Sequence, residues 1–102
     1  MIDVIKDKVK LELFELSNDA LTRSTQRHIL LQEIVEAILA GEIIEVYPKD
    51  RYGPSCLILG YISNKRPLHI QYSYPSRALV KIITVYEPTL EKWTLNLKIR
   101  KV

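Results

Sequence analysis

The chain has 102 residues, 47% of them hydrophobic and 26% charged, with 15 Lys and Arg against 12 Asp and Glu. That length gives one domain with one modest core, and the balance of hydrophobicity and charge excludes intrinsic disorder. The formal charge of +3 permits contact with RNA or another anion without requiring it.

In chain order, Ile2 to about Leu11 reads as a short helix, with Ile2, Ile5 and Val9 near one face. It runs into a short strand around Leu13 to Leu16. Ser17-Asn18-Asp19 are good helix caps, and a helix from about Asn18 to Arg27 follows them. A second capped helix spans about Leu30 to Ala40. Leu30, Ile34 and Ile38 step by four beside Leu31, Val35 and Leu39, which makes a broad apolar stripe. Gly41 is expected as its left-handed C-cap.

Beyond Gly41 the pattern turns to strands. Glu42 to Tyr47 ends at Pro48, and residues 49–54 form a loop. Ser55 to Ile62 is a strand with a bulge expected at Gly60. Leu68 to Tyr74 and Leu79 to Tyr86 follow, separated by turns at residues 63–66 and 74–77. Short connections favour antiparallel hairpins. The predicted fold is therefore α+β, with two or three N-terminal helices on one face of a mainly antiparallel sheet of about four strands. In the strand after the turn at 63–66, Leu68, Ile70 and Tyr72 are expected to face the core. His69, Gln71 and Ser73 alternate to the other face.

Several classes of function lack their signatures. There is no Walker loop, GxGxxG, HExxH or GxSxG. The lone cysteine, Cys56, forms no internal disulfide and excludes multi-cysteine zinc sites. Within Cys56-Leu57-Ile58-Leu59 it reads as a small buried hydrophobe. The N-terminus is charged every few residues and has no signal-peptide core. No apolar run approaches the roughly 20 residues of a membrane span. The expected location is cytoplasmic, with no membrane contact and no cofactor.

Four strings stand in order along the chain: Gly41-Glu42-Ile43-Ile44-Glu45-Val46-Tyr47-Pro48, Ser55-Cys56-Leu57-Ile58-Leu59-Gly60, Arg66-Pro67-Leu68-His69-Ile70, and Ile83-Thr84-Val85-Tyr86-Glu87-Pro88 followed by Trp93. With these, residues 17–93 resemble domain-of-unknown-function family 4258, a set of small bacterial proteins. The resemblance implies a His-Ala pair with two arginines after it. Ala20, Arg23 and Arg27 fit, and Asp19 stands where the histidine is usual. The family's layout is in turn similar to RelE-like ribonuclease toxins. That implies a partner in single-stranded or messenger RNA, and a small antitoxin protein as a second partner.

Metal-independent RNA cleavage needs a base for the 2′-hydroxyl, an acid for the leaving oxygen and a cation for the phosphorane charge. His69 is the first candidate, since imidazole titrates near neutral pH; the alternative is a histidine filling a sheet position. Tyr86 is a candidate proton donor or stacking surface, or else a buried tyrosine with its hydroxyl at the edge. Arg66 and Arg77 are candidate phosphate ligands, or solvated turn residues. Lys81 is a candidate or a surface ladder charge. Arg23 and Arg27 share a helix face and form either a basic patch or ion pairs to Glu33 and Glu36. The tyrosines 47, 52, 61, 72 and 74 are an RNA-stacking surface or simply good strand residues. Trp93 and Leu95, then Lys98, Arg100 and Lys101, form a basic end, either an extra edge strand or a tail that docks on a partner. The reading left standing beside the ribonuclease is a non-catalytic module that binds a partner or forms a homodimer through a sheet edge.

Overall fold

The computed structural model describes residues 2–49, 53–73 and 79–101. Among them the order is α1 (Ile2–Lys10), β1 (Phe14–Leu16), α2 (Asn18–Gln26), α3 (Leu31–Ala40), β2 (Glu42–Tyr47), β3 (Ser55–Ile62), β4 (Arg66–Ser73) and β5 (Val80–Tyr86). The fold is α+β, with three helices and a mostly antiparallel sheet. The sheet has five strands, not about four, in the order β1-β5-β4-β3-β2. The additional strand is the short N-terminal segment, which joins the edge of β5 in parallel, Phe14 opposite Val80 and Leu16 opposite Ile82.

Helix α2 takes over along β5 where β1 stops. The Ser17 backbone N–H donates to the Ile82 carbonyl at 2.9 Å. Its hydroxyl donates to the Ile83 carbonyl at 2.6 Å and accepts from the Ala20 N–H at 3.0 Å. One serine thus caps the helix and fastens its start to the strand. At the next connection the Leu30 N–H donates to Glu33 at 2.8 Å, so the first turn of α3 satisfies one of its own orphan donors.

The main core lies between the helices and one sheet face. Ile5, Ile34, Ala37 and Ile38 pack with Ile58, Leu68, Ile70, Ile82 and Val85, and Cys56 is buried among them as expected. The step-by-four stripe of α3 supplies the helix side of this core. Both sequence readings of glycine need correction. Gly41 is extended, at φ −91° and ψ 174°, and is not a left-handed cap. Its constraint is space: a Cβ would overlap the Ile58 side chain and lie 2.6 Å from the Ala37 carbonyl oxygen. Gly60 sits in unbroken register opposite Leu68, with no bulge between β3 and β4. A Cβ there would overlap the Ala37 carbonyl, so this glycine lets α3 lie directly on β3. The register shifts fall elsewhere, between Ile43 and Glu45 and between Gln71 and Tyr72.

The second face of the sheet is covered in part. Residues 89–101 fold back as a strap, closed by an antiparallel bridge between Trp93 and Arg100. Trp93 and Leu97 pack on Leu57 and Leu59, with Ile44 and Tyr47 at the margin. The basic C-terminal end therefore forms neither an edge strand nor a free tail. Trp93 and Leu97 gain more from burial on the apolar end of this face than from solvent. No described helix is long and apolar enough to cross a membrane.

Candidate functional site

His69 lies on the face opposite Leu68 and Ile70, as the alternation requires, but that face is closed over it and its exposure is 0%. Trp93 meets it edge-on, with ring centroids 4.4 Å apart, and Tyr86 meets it edge-on at 5.2 Å. Nε2 is 2.8 Å from the Leu97 carbonyl oxygen. A carbonyl only accepts, so Nε2 carries the proton and Nδ1 of the neutral ring is an acceptor. The Tyr86 hydroxyl, 3.1 Å from Nδ1, is then the donor. Burial lowers the imidazole pKa below its ordinary 6.5, which keeps this neutral arrangement at physiological pH. Burial likewise raises the Tyr86 phenol. Leu97 has a φ of +62°, a left-handed conformation unusual for leucine, on the turn that presents its carbonyl to His69.

Tyr86 opens at its other side onto a cleft of about 500 Å³ between α2, the end of β5 and the strap. Arg23 and Arg27 enter from the helix, and Lys92 and Arg100 from the strap. Against these four cations stand two carboxylates, Glu87 and Glu91. Arg23 lies 3.5 Å from Asp19 one turn back, not near Glu33 or Glu36. Arg100 lies over the Trp93 ring at 4.7 Å and bonds both oxygens of Glu45 at 3.1 Å. The neighbouring Tyr47 donates to Glu45, and its phenol is pushed up to about 12, mainly by burial. Arg27 and Lys92 have no carboxylate within ion-pair distance among the described residues. Two cations without a carboxylate partner thus share this cleft with Tyr86, while the charges that act on the Tyr86 phenol are those of Arg100 and Glu45.

The remaining candidates are placed differently. Arg66 binds its own protein: Nε donates to Glu87 at 2.6 Å, Nη2 to the Arg27 carbonyl at 3.1 Å, and Nη1 lies 3.9 Å from Glu33. It ties the start of β4 to the α2–α3 connection and is not directed at the cleft. Lys81 pairs with Glu15 across the β1–β5 ladder at 3.6 Å, and lines a second cleft. Arg77 lies outside the described residues, as do Tyr52 and Tyr74. The tyrosine surface is not assembled: Tyr72 is in the helix-side core, Tyr47 is tied to Glu45, and Tyr61 is exposed.

Structure thus brings Arg23, Arg27 and Tyr86 together and adds Lys92 and Arg100. Lys92 was not singled out in the sequence, and Arg100 only as part of a basic end. The one signal available was the alternation of Lys92, Lys98, Arg100 and Lys101 with apolar residues, which says nothing about where the segment folds.

No curated protein and no solved structure matches the chain. Residues 16–87 match the domain of unknown function DUF4258, a span that holds α2, α3 and β2 to β5 and stops short of the strap. The chain belongs to the DUF4258 family.

Proposed function

We propose that this protein is a metal-independent ribonuclease of toxin type, with the cleft at Tyr86 as the place where an RNA phosphodiester binds and reacts. The observation that carries this reading is that Tyr86, its hydroxyl held by the buried His69, lines the same cleft as Arg23, Arg27, Lys92 and Arg100. Guanidinium and ammonium groups hold phosphate and offset the charge that builds on it during transfer. The α+β layout is in keeping with the reading, though layout by itself does not fix function.

The hydrogen-bond directions define the chemistry. Tyr86 donates its proton to His69 Nδ1, so its oxygen lone pairs are left for a ligand. A 2′-hydroxyl seated there gives its proton to Tyr86 as Tyr86 passes its own to His69. The 2′-oxygen attacks phosphorus, the bond to the 5′-oxygen breaks, that oxygen takes a proton from water, and His69 returns its proton through Tyr86 to the hydroxide so formed. The products are a 2′,3′-cyclic phosphate and a 5′-hydroxyl. His69 is a positioning residue and proton store, and Tyr86 is the group that touches substrate. A small antitoxin protein would act by covering the basic cleft.

The test is cleavage of single-stranded RNA in EDTA, free and on translating ribosomes, by the wild type and by Tyr86→Phe. Tyr86→Phe keeps the ring that packs on His69 and removes only the hydroxyl. It should lower the rate by about 100-fold or more with little loss of RNA affinity. Equal rates would remove Tyr86 from the chemistry. Neither binding nor cleavage by the wild type would sink the reading and leave a protein-interaction module. His69→Ala is a poor probe, because it opens a cavity in a buried position.

A further inference from the structure

A second cleft, of about 520 Å³, opens beside the first at the start of α2. Thr84 lines both, so the two form one groove along β5. Asp19 borders the second cleft and Arg23 the first, and their ion pair joins the two along α2. Between Gln71 and Tyr72 on β4 the pairing passes from Thr84 to Ile82, so Ile83 is the extra residue of a β-bulge. Ser17 holds the bulge by donating its hydroxyl to the Ile83 carbonyl and its backbone N–H to the Ile82 carbonyl. Ile83 gives this cleft an apolar element, while Asp19, Gln71, Lys81 and Thr84 line it with polar groups. Ser17, Asn18 and Ser73 add further polar groups, so the cleft offers mainly hydrogen-bonding partners, which suits the polar edge of a heterocycle.

We infer that this second cleft is a nucleobase subsite selective for guanine, a deepening that rests on the RNA reading of the neighbouring cleft. Single-stranded RNA is read through the Watson–Crick edges of splayed bases. Asp19 offers a carboxylate that accepts hydrogen bonds, with room for about four across its two oxygens. Arg23 occupies one side of one oxygen, at 3.5 Å. Guanine alone presents two adjacent donors on that edge, N1–H and the N2 amino group, which match a carboxylate in parallel. Adenine and cytosine each present one donor beside an acceptor, which would face a carboxylate oxygen unfavourably. Uracil presents one donor between two acceptors. The Gln71 amide N–H donates to the Ser55 hydroxyl oxygen at 3.1 Å, which ties this wall of the cleft to β3.

The test is fluorescence-anisotropy binding of labelled pentamers, UUGUU against UUAUU, UUCUU and UUUUU. All carry 2′-fluoro sugars so that no cleavage can occur. Wild type should prefer the guanine pentamer by about tenfold. Asp19→Asn, which replaces one acceptor oxygen with a donor on an exposed position, should abolish that preference and keep binding to the other three. Arg27→Ala should weaken all four about equally. Binding of all pentamers with equal affinity, or a guanine preference that survives Asp19→Asn, would overturn the inference and leave the RNA reading intact. No binding of any pentamer would overturn both.

Discussion

The two faces of the sheet are buried by different means. On the helix face, Ile58, Leu68, Ile70, Ile82 and Val85 meet Ile34, Ala37, Ile38 and Ile5 in an apolar layer. On the strap face, the apolar contact is a small patch of Leu57, Leu59, Trp93 and Leu97. The rest of its attachment is polar: Arg100 to Glu45, Lys98 to Glu42 at 2.7 Å, and His69 to the Leu97 carbonyl. Apolar burial is indifferent to moderate salt and to pH, whereas exposed ion pairs are screened and weak. The difference teaches where tunability lies. The helix face holds the scaffold, and the strap face, which supplies Lys92 and Arg100 to the cleft, should be the one that salt and pH loosen first.

The comparison breaks most sharply at Trp93. It is 2% exposed and is the largest side chain under the strap. Trp93→Ala should cost about 4 kcal/mol in urea unfolding, and amides of residues 89–101 should lose protection from hydrogen exchange ahead of β3 and β4. Uniform loss of protection would mean that the two faces are one cooperative layer. On the helix face, Gly60→Ala should cost about 3 kcal/mol, because its Cβ would overlap the Ala37 backbone. A neutral Gly60→Ala would show that α3 lifts from β3 without penalty.

The smallest effect is pH-dependent. The native His69 pKa lies below 6.5, chiefly through burial. As pH falls through 6.5 the unfolded chain takes up a proton at His69 before the folded chain does. Stability is therefore full above the ordinary imidazole range and declines as pH drops toward the lowered native value. Tm should fall by a few degrees between pH 7 and pH 5, and His69→Gln should flatten part of that slope. An unchanged slope in His69→Gln would assign the acid response to other groups.

Much of the scaffold was legible in the sequence because its causes are local. Ser17 as a cap, the step-by-four stripe of α3 and the alternation of Leu68, Ile70 and Tyr72 each depend on neighbours a few residues away. β1 was legible as a strand, but its parallel pairing with β5, more than sixty positions on, was not. Alternation placed His69 on the correct face and could not tell that the face was covered. The cover comes from a strap whose apolar residues alternate as in a strand, yet Trp93 and Leu97 are buried while Leu95 and Ile99 are exposed, so the alternation alone did not mark which of them would cover the sheet. Arg23, Arg27 and Tyr86 were each identifiable, but their meeting depends on α2 packing along β5, and Arg100 reaches the site through Glu45, 55 positions away.

The most direct test of the central claim is to titrate the 15N-labelled protein with a 2′-fluoro single-stranded RNA and follow its amide shifts. The account predicts perturbations confined to the groove, at Arg23, Arg27, Thr84, Tyr86, Lys92 and Arg100, with the outer face of α1 and the β2 edge unmoved. Perturbations clustered on the β2 edge or on α1, or none at all in low salt, would contradict it.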